Sequence, residues 1–175
     1  MRNYFLSSAR LGFSAWTAED LDLATRLWGD PQVTRLTGGP FTPAQVRARL
    51  SREITNFERH RVQYWPIFLL RTGEHVGCCG LQPRPLHEDG VEFGFQLRTA
   101  FWAQGYGREA AEAVVTYAFT ALGVGSLYAG HHPANEASRR VLQGLGFRYT
   151  HEEFYPPTEQ LEPCYRLARD DWPYP

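Results

Sequence analysis

The sequence predicts a mixed α/β fold with helices on both faces of a mostly antiparallel sheet of about six to seven strands. Three strand-like segments lie in succession between residues 64 and 98, an order that favours antiparallel hairpins. A strand, a helix and a strand follow over residues 90–130, which predicts one parallel pair with a crossover helix. The length of 175 residues and the hydrophobic fraction of 43% suit a single domain over residues 1–175.

The first quarter of the chain predicts one strand and two helices. Residues 10–16 alternate weakly in hydrophobicity, as a strand does, and residues 17–28 follow as a capped helix with an acidic first turn. Asp30-Pro31 ends that helix, and Thr42-Pro43 begins the next with a cap and a proline at the first helical position. The apolar face of this second helix consists of Val46, Leu50, Ile54 and Phe57.

From residue 63 the hydrophobic period changes to that of strands. Residues 64–71 and 75–82 predict a hairpin, residues 83–89 a loop, and residues 90–98 a third strand. Within the third strand, Gly94 indicates a bulge or a close approach of another backbone. The remaining predicted elements are a helix over 110–122 ended by Gly123, a strand over 126–130, a helix capped by Asn135 and running through Leu145, and strands over 147–153 and 161–168.

Two glycines, Gly105 and Gly107, directly precede the helix predicted over residues 110–122. A helix N-terminus carries unpaired N–H groups and a partial positive charge, so a phosphate group is its natural ligand. All 18 basic residues are arginine, which excludes a Gly-Lys-Ser/Thr phosphate loop. The turn also lies too late in the chain for a dinucleotide-binding unit. A plain strand-to-helix turn is the alternative interpretation.

Composition argues against several classes of partner. The net charge of −1 gives no basic field for nucleic acid. There is no apolar run of membrane-spanning length and no secretory leader pattern, so we expect a cytoplasmic protein without a membrane partner.

Zinc ligation by Cys78, Cys79, His131 and His132 lacks the usual spacer between paired ligands, so we expect no metal. We interpret the cysteines, including Cys164, as small buried hydrophobic residues.

Three separated motifs occur in order along the chain: Gln-Gly-Tyr-Gly-Arg-Glu-Ala at 104–110, Asn-Glu-Ala-Ser-Arg-Arg-Val-Leu at 135–142, and Leu-Gly-Phe at 145–147. With these motifs the chain resembles the GNAT superfamily of acetyl-coenzyme A (acetyl-CoA) dependent N-acetyltransferases. Trp102 and the residues that follow it are similar to the RimJ/RimL-like branch, which acetylates N-termini of ribosomal proteins. The resemblance covers nearly the whole chain.

The resemblance implies a binding site for acetyl-CoA as cosubstrate. The amides of Gln104, Gly105, Tyr106, Gly107 and Arg108 would hold the pyrophosphate. The strand edge at Phe95, Gln96 and Leu97 would pair with the pantetheine arm, and splaying of the parallel pair at residues 126–130 would leave room for the thioester. Further contacts are implied for Asn135, Ser138 and Arg139.

Acetyl transfer to an amine needs a base, an oxyanion donor and stabilisation of the leaving thiolate. Glu92 is the candidate base, with His131 and His132 as rivals, and a solvated strand-face glutamate is the alternative reading of Glu92. The N–H near Leu97 would be the oxyanion donor. Many members of the superfamily carry a tyrosine acid where this chain has Leu142, so the hydroxyl of Ser138 is the candidate group near the sulfur.

The expected acceptor is a protein N-terminal α-amine or a small-molecule amine. The aromatic residues expected on the acceptor side either line a groove or belong to the core; they are Trp28, Phe41, Tyr64, Trp65, Phe154 and Tyr155. Both a monomer and a homodimer are compatible with the sequence. The competing hypothesis is a non-catalytic module that binds acyl-CoA as a sensor or scaffold, since the usual tyrosine is absent.

Overall fold

The computed structural model describes residues 2–83 and 90–172. The strands are β1 (Leu6–Ser7), β2 (Leu11–Phe13), β3 (Tyr64–Leu69), β4 (His75–Pro83), β5 (Gly90–Leu97), β6 (Ser126–Gly130), β7 (Arg148–Tyr155) and β8 (Gln160–Ala168). The α-helices are α1 (Leu21–Trp28), α2 (Pro31–Thr34), α3 (Pro43–His60), α4 (Tyr106–Thr120) and α5 (Glu136–Gly144).

The strands of the described ranges form one sheet in the order β1-β2-β3-β4-β5-β6-β8-β7. β5 and β6 are the parallel pair, joined through α4, and the other neighbouring strands are antiparallel. The predicted mixed sheet with one parallel pair is confirmed. The strand number is eight, higher than predicted, because β1 is two residues long and leaves no hydrophobic period to detect.

Two local differences from the sequence prediction concern where helices begin. Asp30-Pro31, which predicted a helix end, also starts the short helix α2, because the Asp30 carboxylate accepts a hydrogen bond from the Gln32 N–H at 2.8 Å. Helix α4 begins at Tyr106, so Gly107 lies in its first turn rather than in the preceding loop.

The loop predicted over 83–89 is described only at its first residue. Pro83 belongs to β4, and residues 84–89 lie outside the described residues.

Each face of the sheet carries its own hydrophobic cluster. One cluster packs under α4 and includes Cys79, and the other packs under α1 and α3 and includes Cys78. Adjacent strand residues point to opposite faces, so these two thiols do not converge on one metal ion. Both are buried as predicted, whereas Cys164 is half-buried because β8 turns it toward a cavity described below.

His75 at the start of β4 makes the fold sensitive to acid. Burial, and then the positive charge of Arg98, lower the pKa of His75 from 6.5 to about 4. Between pH 6.5 and 4, His75 is therefore protonated in the unfolded chain and neutral in the native state. We expect the free energy of unfolding to fall by roughly 3 kcal/mol as the pH drops through this window.

Urea unfolding of wild type and His75→Phe at pH 7 and pH 4.5 measures this effect. The ring of His75 packs between Trp16 and Phe68, at centroid distances of 5.5 and 5.3 Å, so an aromatic replacement keeps the packing. The variant should lose most of the pH dependence of the unfolding midpoint. If wild type and His75→Phe lose the same stability between pH 7 and pH 4.5, His75 is not the source of the pH dependence.

Within residues 2–83 and 90–172, none of the helices has the length and apolar character needed to cross a membrane.

Candidate active site

The parallel pair separates after three residues. Gly90, Val91 and Glu92 of β5 pair with Ser126, Leu127 and Tyr128 of β6, and the register ends there. Beyond Glu92, β5 remains paired with β4, the strand on its other side, as far as the pair Gly77 and Leu97. The end of β6 instead pairs with β8 as far as Gly130. The two strands therefore diverge, as the resemblance implied, and leave a gap at their carboxyl ends.

The alternation of the β4–β5 ladder determines which main-chain groups face this gap. The Arg98 N–H donates to Val76 O at 2.9 Å, so Gly77 and Leu97 form a non-hydrogen-bonded pair. The main-chain groups of Leu97 and Phe95 then point away from β4, toward the gap, whereas those of Gln96 point toward β4. The Leu97 carbonyl accepts from Trp102 Nε1 at 2.8 Å, and the Leu97 N–H lies on the same edge.

The side chain of Gln96 is held on the face of the sheet that packs against α1. Its Oε1 accepts from Trp28 Nε1 at 2.9 Å, and its Nε2 donates to the Thr37 hydroxyl at 3.4 Å. Of the three strand residues expected to pair with pantetheine, Phe95 and Leu97 thus present their main chain to the gap and Gln96 does not.

A cavity of about 400 Å³ opens where β5 and β6 separate. Predicted site residues that line it are Glu92, Phe95, Gln96, Asn135 and Ser138, together with the rival bases His131 and His132. Leu142, at the usual tyrosine position, lines it as well. Acceptor-side aromatic residues that line it are Tyr64, Phe154 and Tyr155. Trp28 and Trp65 are buried in the two cores, in agreement with the alternative reading of those aromatic residues.

Glu92 lies in this cavity, where a tyrosine of β3 holds it. The Tyr64 hydroxyl donates to Glu92 Oε1 at 2.9 Å. Burial, and then the negative charge of Glu92, raise the pKa of Tyr64 well above its usual value, so this phenol remains a donor. A Cβ on Gly94 would lie 2.5 Å from the Tyr64 oxygen, so Gly94 leaves room for a side chain, and the described residues show neither a bulge nor the close approach of another backbone there.

A buried carboxylate behind Tyr64 fixes the strand that carries it. Glu53 of α3 is fully buried; its Oε2 accepts from the Tyr64 N–H at 2.8 Å, and its Oε1 accepts from Gln82 Nε2 at 2.8 Å. Burial raises the pKa of Glu53, against the lowering effect of Arg49. Glu53 therefore anchors α3 to β3 and β4 beside the cavity.

The two histidines at the end of β6 have their basic nitrogens engaged. His131 Nδ1 contacts the His132 carbonyl at 2.9 Å, which can only accept, so Nδ1 carries the proton and Nε2 faces the Tyr165 hydroxyl at 3.3 Å. His132 Nδ1 accepts the Ala134 N–H at 3.1 Å. These contacts favour Glu92 over either histidine as the base.

The turn before α4 is held by a network from the N-terminal strands. Gly105 caps the helix with φ of +80°, a conformation that suits glycine. The guanidinium of Arg10 donates to Gln104 O at 3.2 Å and lies 4.2 Å from the ring centre of Tyr106. Glu109 accepts from Arg10 Nε at 2.6 Å and from the Ser8 hydroxyl at 2.6 Å.

This network also sets the charge of Glu109. Partial burial acts to raise the pKa of Glu109, but the hydrogen bonds from Ser8 and Arg10 outweigh it, and the pKa lies below its usual value. Gly107 faces β5, and a Cβ there would be in ordinary van der Waals contact with it, 3.4 Å from Phe95 Cε2 and 3.6 Å from Leu97 Cδ1. The helix N-terminus and the open edge of β5 are therefore neighbours.

The start of α5 forms another wall of the cavity. Asn135 is its N-cap, accepting from the Ser138 N–H at 3.1 Å, as predicted. Leu142, which stands at the usual tyrosine position, is 2% exposed. Arg139 and Arg108 lie outside the cavity lining, and their side chains pair with Glu136 at 2.6 Å and with Glu112 at 2.8 Å.

Comparison with known proteins identifies a family that this chain matches. The family model described as "Acetyltransferase (GNAT) domain" matches residues 10–148. The chain belongs to the GNAT acetyltransferase family. A GNAT acetyltransferase transfers an acetyl group from acetyl-CoA to an amine, and this membership does not favour a non-catalytic acyl-CoA sensor.

Two relatives of this GNAT chain are similar over most of their length. The uncharacterized protein YkkB of Bacillus subtilis is 33% identical, over 75% of this chain and 79% of its own. The FsC-acetyl coenzyme A-N(2)-transacetylase of Aspergillus fumigatus is 32% identical, over 95% of this chain and 77% of its own.

Solved structures show the same GNAT fold. A GNAT-family acetyltransferase from Bacillus anthracis has a TM-score of 0.81 at 20% identity, over 94% of this chain and 98% of that one. The ribosomal L7/L12 α-N-protein acetyltransferase RimL in complex with coenzyme A has a TM-score of 0.81 at 16% identity, over 97% and 99%.

Several residues around the cavity were not predicted as site residues. Arg49, Arg52 and Glu162 line it, and Glu53 supports it. A signal for Glu53 exists in the sequence: it lies three residues after Leu50 and four before Phe57, on the apolar face of α3, where a charged residue requires buried partners. The two arginines have the spacing of ordinary surface residues and give no such signal.

Proposed function

We propose that one domain over residues 1–175 binds acetyl-CoA across the gap between β5 and β6 and acetylates a primary amine by direct attack on the thioester. The observation that carries this proposal is the separation of the parallel pair after Glu92 and Tyr128, which opens onto the cavity that holds Glu92. Residues 104–108 would hold the pyrophosphate at the N-terminus of α4. The main chain of Phe95 and Leu97 would pair with the amide-bearing arm.

Glu92 takes the proton of the attacking ammonium, directly or through one water. The nitrogen then forms a bond to the acetyl carbon while the carbon–sulfur bond breaks, and the second proton that this nitrogen loses passes to the departing thiolate, which leaves as the coenzyme A thiol. The Leu97 N–H donates to the carbonyl oxygen, on which negative charge develops. The Ser138 hydroxyl, near Asn135 at the start of α5, donates a hydrogen bond to the departing sulfur. Arg108 and Arg139 require rotation away from their glutamate partners to reach a phosphate.

Two relatives bear on the acceptor in different ways. The Aspergillus fumigatus protein, 32% identical, is named for transfer to an N(2) position, which supports an amine acceptor here. The RimL likeness, at 16% identity, supports the fold and leaves the choice between a protein N-terminus and a small amine to experiment.

The test is the release of free coenzyme A thiol from acetyl-CoA in the presence of an amine panel, with product masses measured for each acceptor. The panel contains short peptides with free N-termini and small amines. Acetylated product that appears in proportion to thiol release supports the proposal. Thiol release without an acetylated amine, or no reaction with any amine, would contradict it.

A further inference from the structure

One turn of α3 gives the cavity a basic wall. Arg49 and Arg52 lie three residues apart, on the same helix face, and both line the cavity. Arg49 is half-buried and Arg52 is exposed. Neither residue has a role in the proton transfer proposed above.

The structure holds Arg49 in place and leaves one of its donors unused. Its guanidinium carbon lies 4.7 Å from the centre of the Trp28 ring, and that ring is fixed by the hydrogen bond from its Nε1 to Gln96. Among the described residues, Arg49 Nε is buried and has no hydrogen-bond partner. A buried donor without an acceptor is costly, so a bound anion would relieve this cost.

The neighbouring carboxylate does not fill this role. Both oxygens of Glu53 accept hydrogen bonds from other groups, the Tyr64 N–H and Gln82 Nε2. Glu53 reduces the net charge around Arg49 but gives it no hydrogen bond. Glu53 therefore leaves Arg49 Nε without an acceptor, and a ligand oxygen would supply one.

Other strands of the cavity supply an acidic wall. Glu92 on β5, Glu153 on β7 and Glu162 on β8 all line it. Glu162 accepts from the Thr158 hydroxyl at 3.1 Å. Burial, with the negative charge of Glu92 as a smaller contribution, raises the pKa of Glu162 above its usual value, although the hydrogen bond from Thr158 opposes this. An ammonium group would be attracted to these carboxyl groups.

Resting on the proposed function, we propose that the acceptor is a small amine that also carries a carboxylate, with its ammonium at Glu92 and its carboxylate at Arg49 and Arg52. Arginine presents a planar fork of donors that matches a carboxylate. The cavity of about 400 Å³ is large enough for a ligand of amino-acid size. The opposite charges of the two walls would orient the amine toward the gap between β5 and β6.

The test compares matched acceptors that differ by the carboxylate: L-tyrosine with tyramine, L-lysine with cadaverine, and L-methionine with 3-methylthiopropylamine. Steady-state acetylation is measured for wild type, Arg49→Met, Arg49→Lys and Arg52→Gln, with Arg47→Gln, an exposed α3 position outside the cavity lining, as control. We expect the carboxylate member to be preferred by wild type. Arg49→Met should raise its KM by about tenfold or more, and leave the KM of the decarboxylated member within about twofold.

Arg49→Lys should recover part of the affinity for the carboxylate-bearing acceptor that Arg49→Met loses. Arg52→Gln, which removes an exposed side chain, should raise the KM of this acceptor by a smaller factor than Arg49→Met does. Equal turnover of both members, a preference for cadaverine, or an equal effect of Arg49→Met on both members would overturn the proposal. If acetyl-CoA binds and no panel amine is acetylated, the carboxylate-bearing acceptor is wrong while coenzyme binding stands. If acetyl-CoA does not bind, the proposed function itself fails.

Discussion

Replacement of Glu92 by glutamine should lower acetyl transfer at saturating acetyl-CoA by about 100-fold or more, since a positioned base contributes 10²–10⁴-fold to such reactions. Glutamine keeps the size of the side chain and can still accept from the Tyr64 hydroxyl, which lies 2.9 Å from Glu92 Oε1. It cannot take a proton from the ammonium. The fold and the affinity for acetyl-CoA should therefore be unchanged.

The pH dependence separates this explanation from a structural one. Without its base, the variant depends on amine that is already deprotonated, so its rate should keep rising up to the pKa of the acceptor amine, above the pH at which wild type levels off. Glu58→Gln, at an exposed position on α3, is the matched control and should leave the rate unchanged. Wild-type rates in Glu92→Gln across the pH range would exclude Glu92 as the base.

Replacement of Gly105 by valine should weaken acetyl-CoA binding by more than tenfold. Gly105 has φ of +80° at the N-cap of α4, and a β-branched residue there costs of the order of 1–2 kcal/mol. Its Cβ would lie 3.4 Å from Arg10 Nη2, a group of the network that holds the turn. Side-chain atoms beyond that Cβ would also stand where the pyrophosphate is proposed to approach the amides.

Gly73→Val is the control for backbone strain alone. Gly73 lies between β3 and β4 with φ of +71°, and a Cβ there has nothing within 4 Å. The two variants should lose similar stability in thermal unfolding, and Gly105→Val alone should lose coenzyme affinity. An unchanged dissociation constant in Gly105→Val would move the pyrophosphate site away from this turn.

The parts of the fold that the sequence predicted well are those with strong local signals. Asn135 caps α5 because its side chain accepts from the Ser138 N–H, and this signal is contained in four consecutive residues. The start of α4 was placed four residues late, because glycine disfavours helices on average, whereas Gly107 here lies inside the first turn of α4, facing Phe95 and Leu97.

The site was predictable where it follows from strand ends and helix starts, and not where it depends on tertiary packing. Glu92 could be proposed from its position on the central strand. Its partner Tyr64 lies 28 residues away, and their contact depends on the space that Gly94 leaves between them. Arg49 differs from an ordinary helix arginine only through the burial of its Nε beside Trp28, which no local pattern encodes.

Calorimetric titration of acetyl-CoA into the wild-type protein shows whether the chain binds this cosubstrate. We expect binding at one site per chain with a micromolar dissociation constant. The absence of binding would contradict the proposed function, because every role proposed for the gap between β5 and β6, for the Gly105 turn and for Glu92 depends on bound acetyl-CoA.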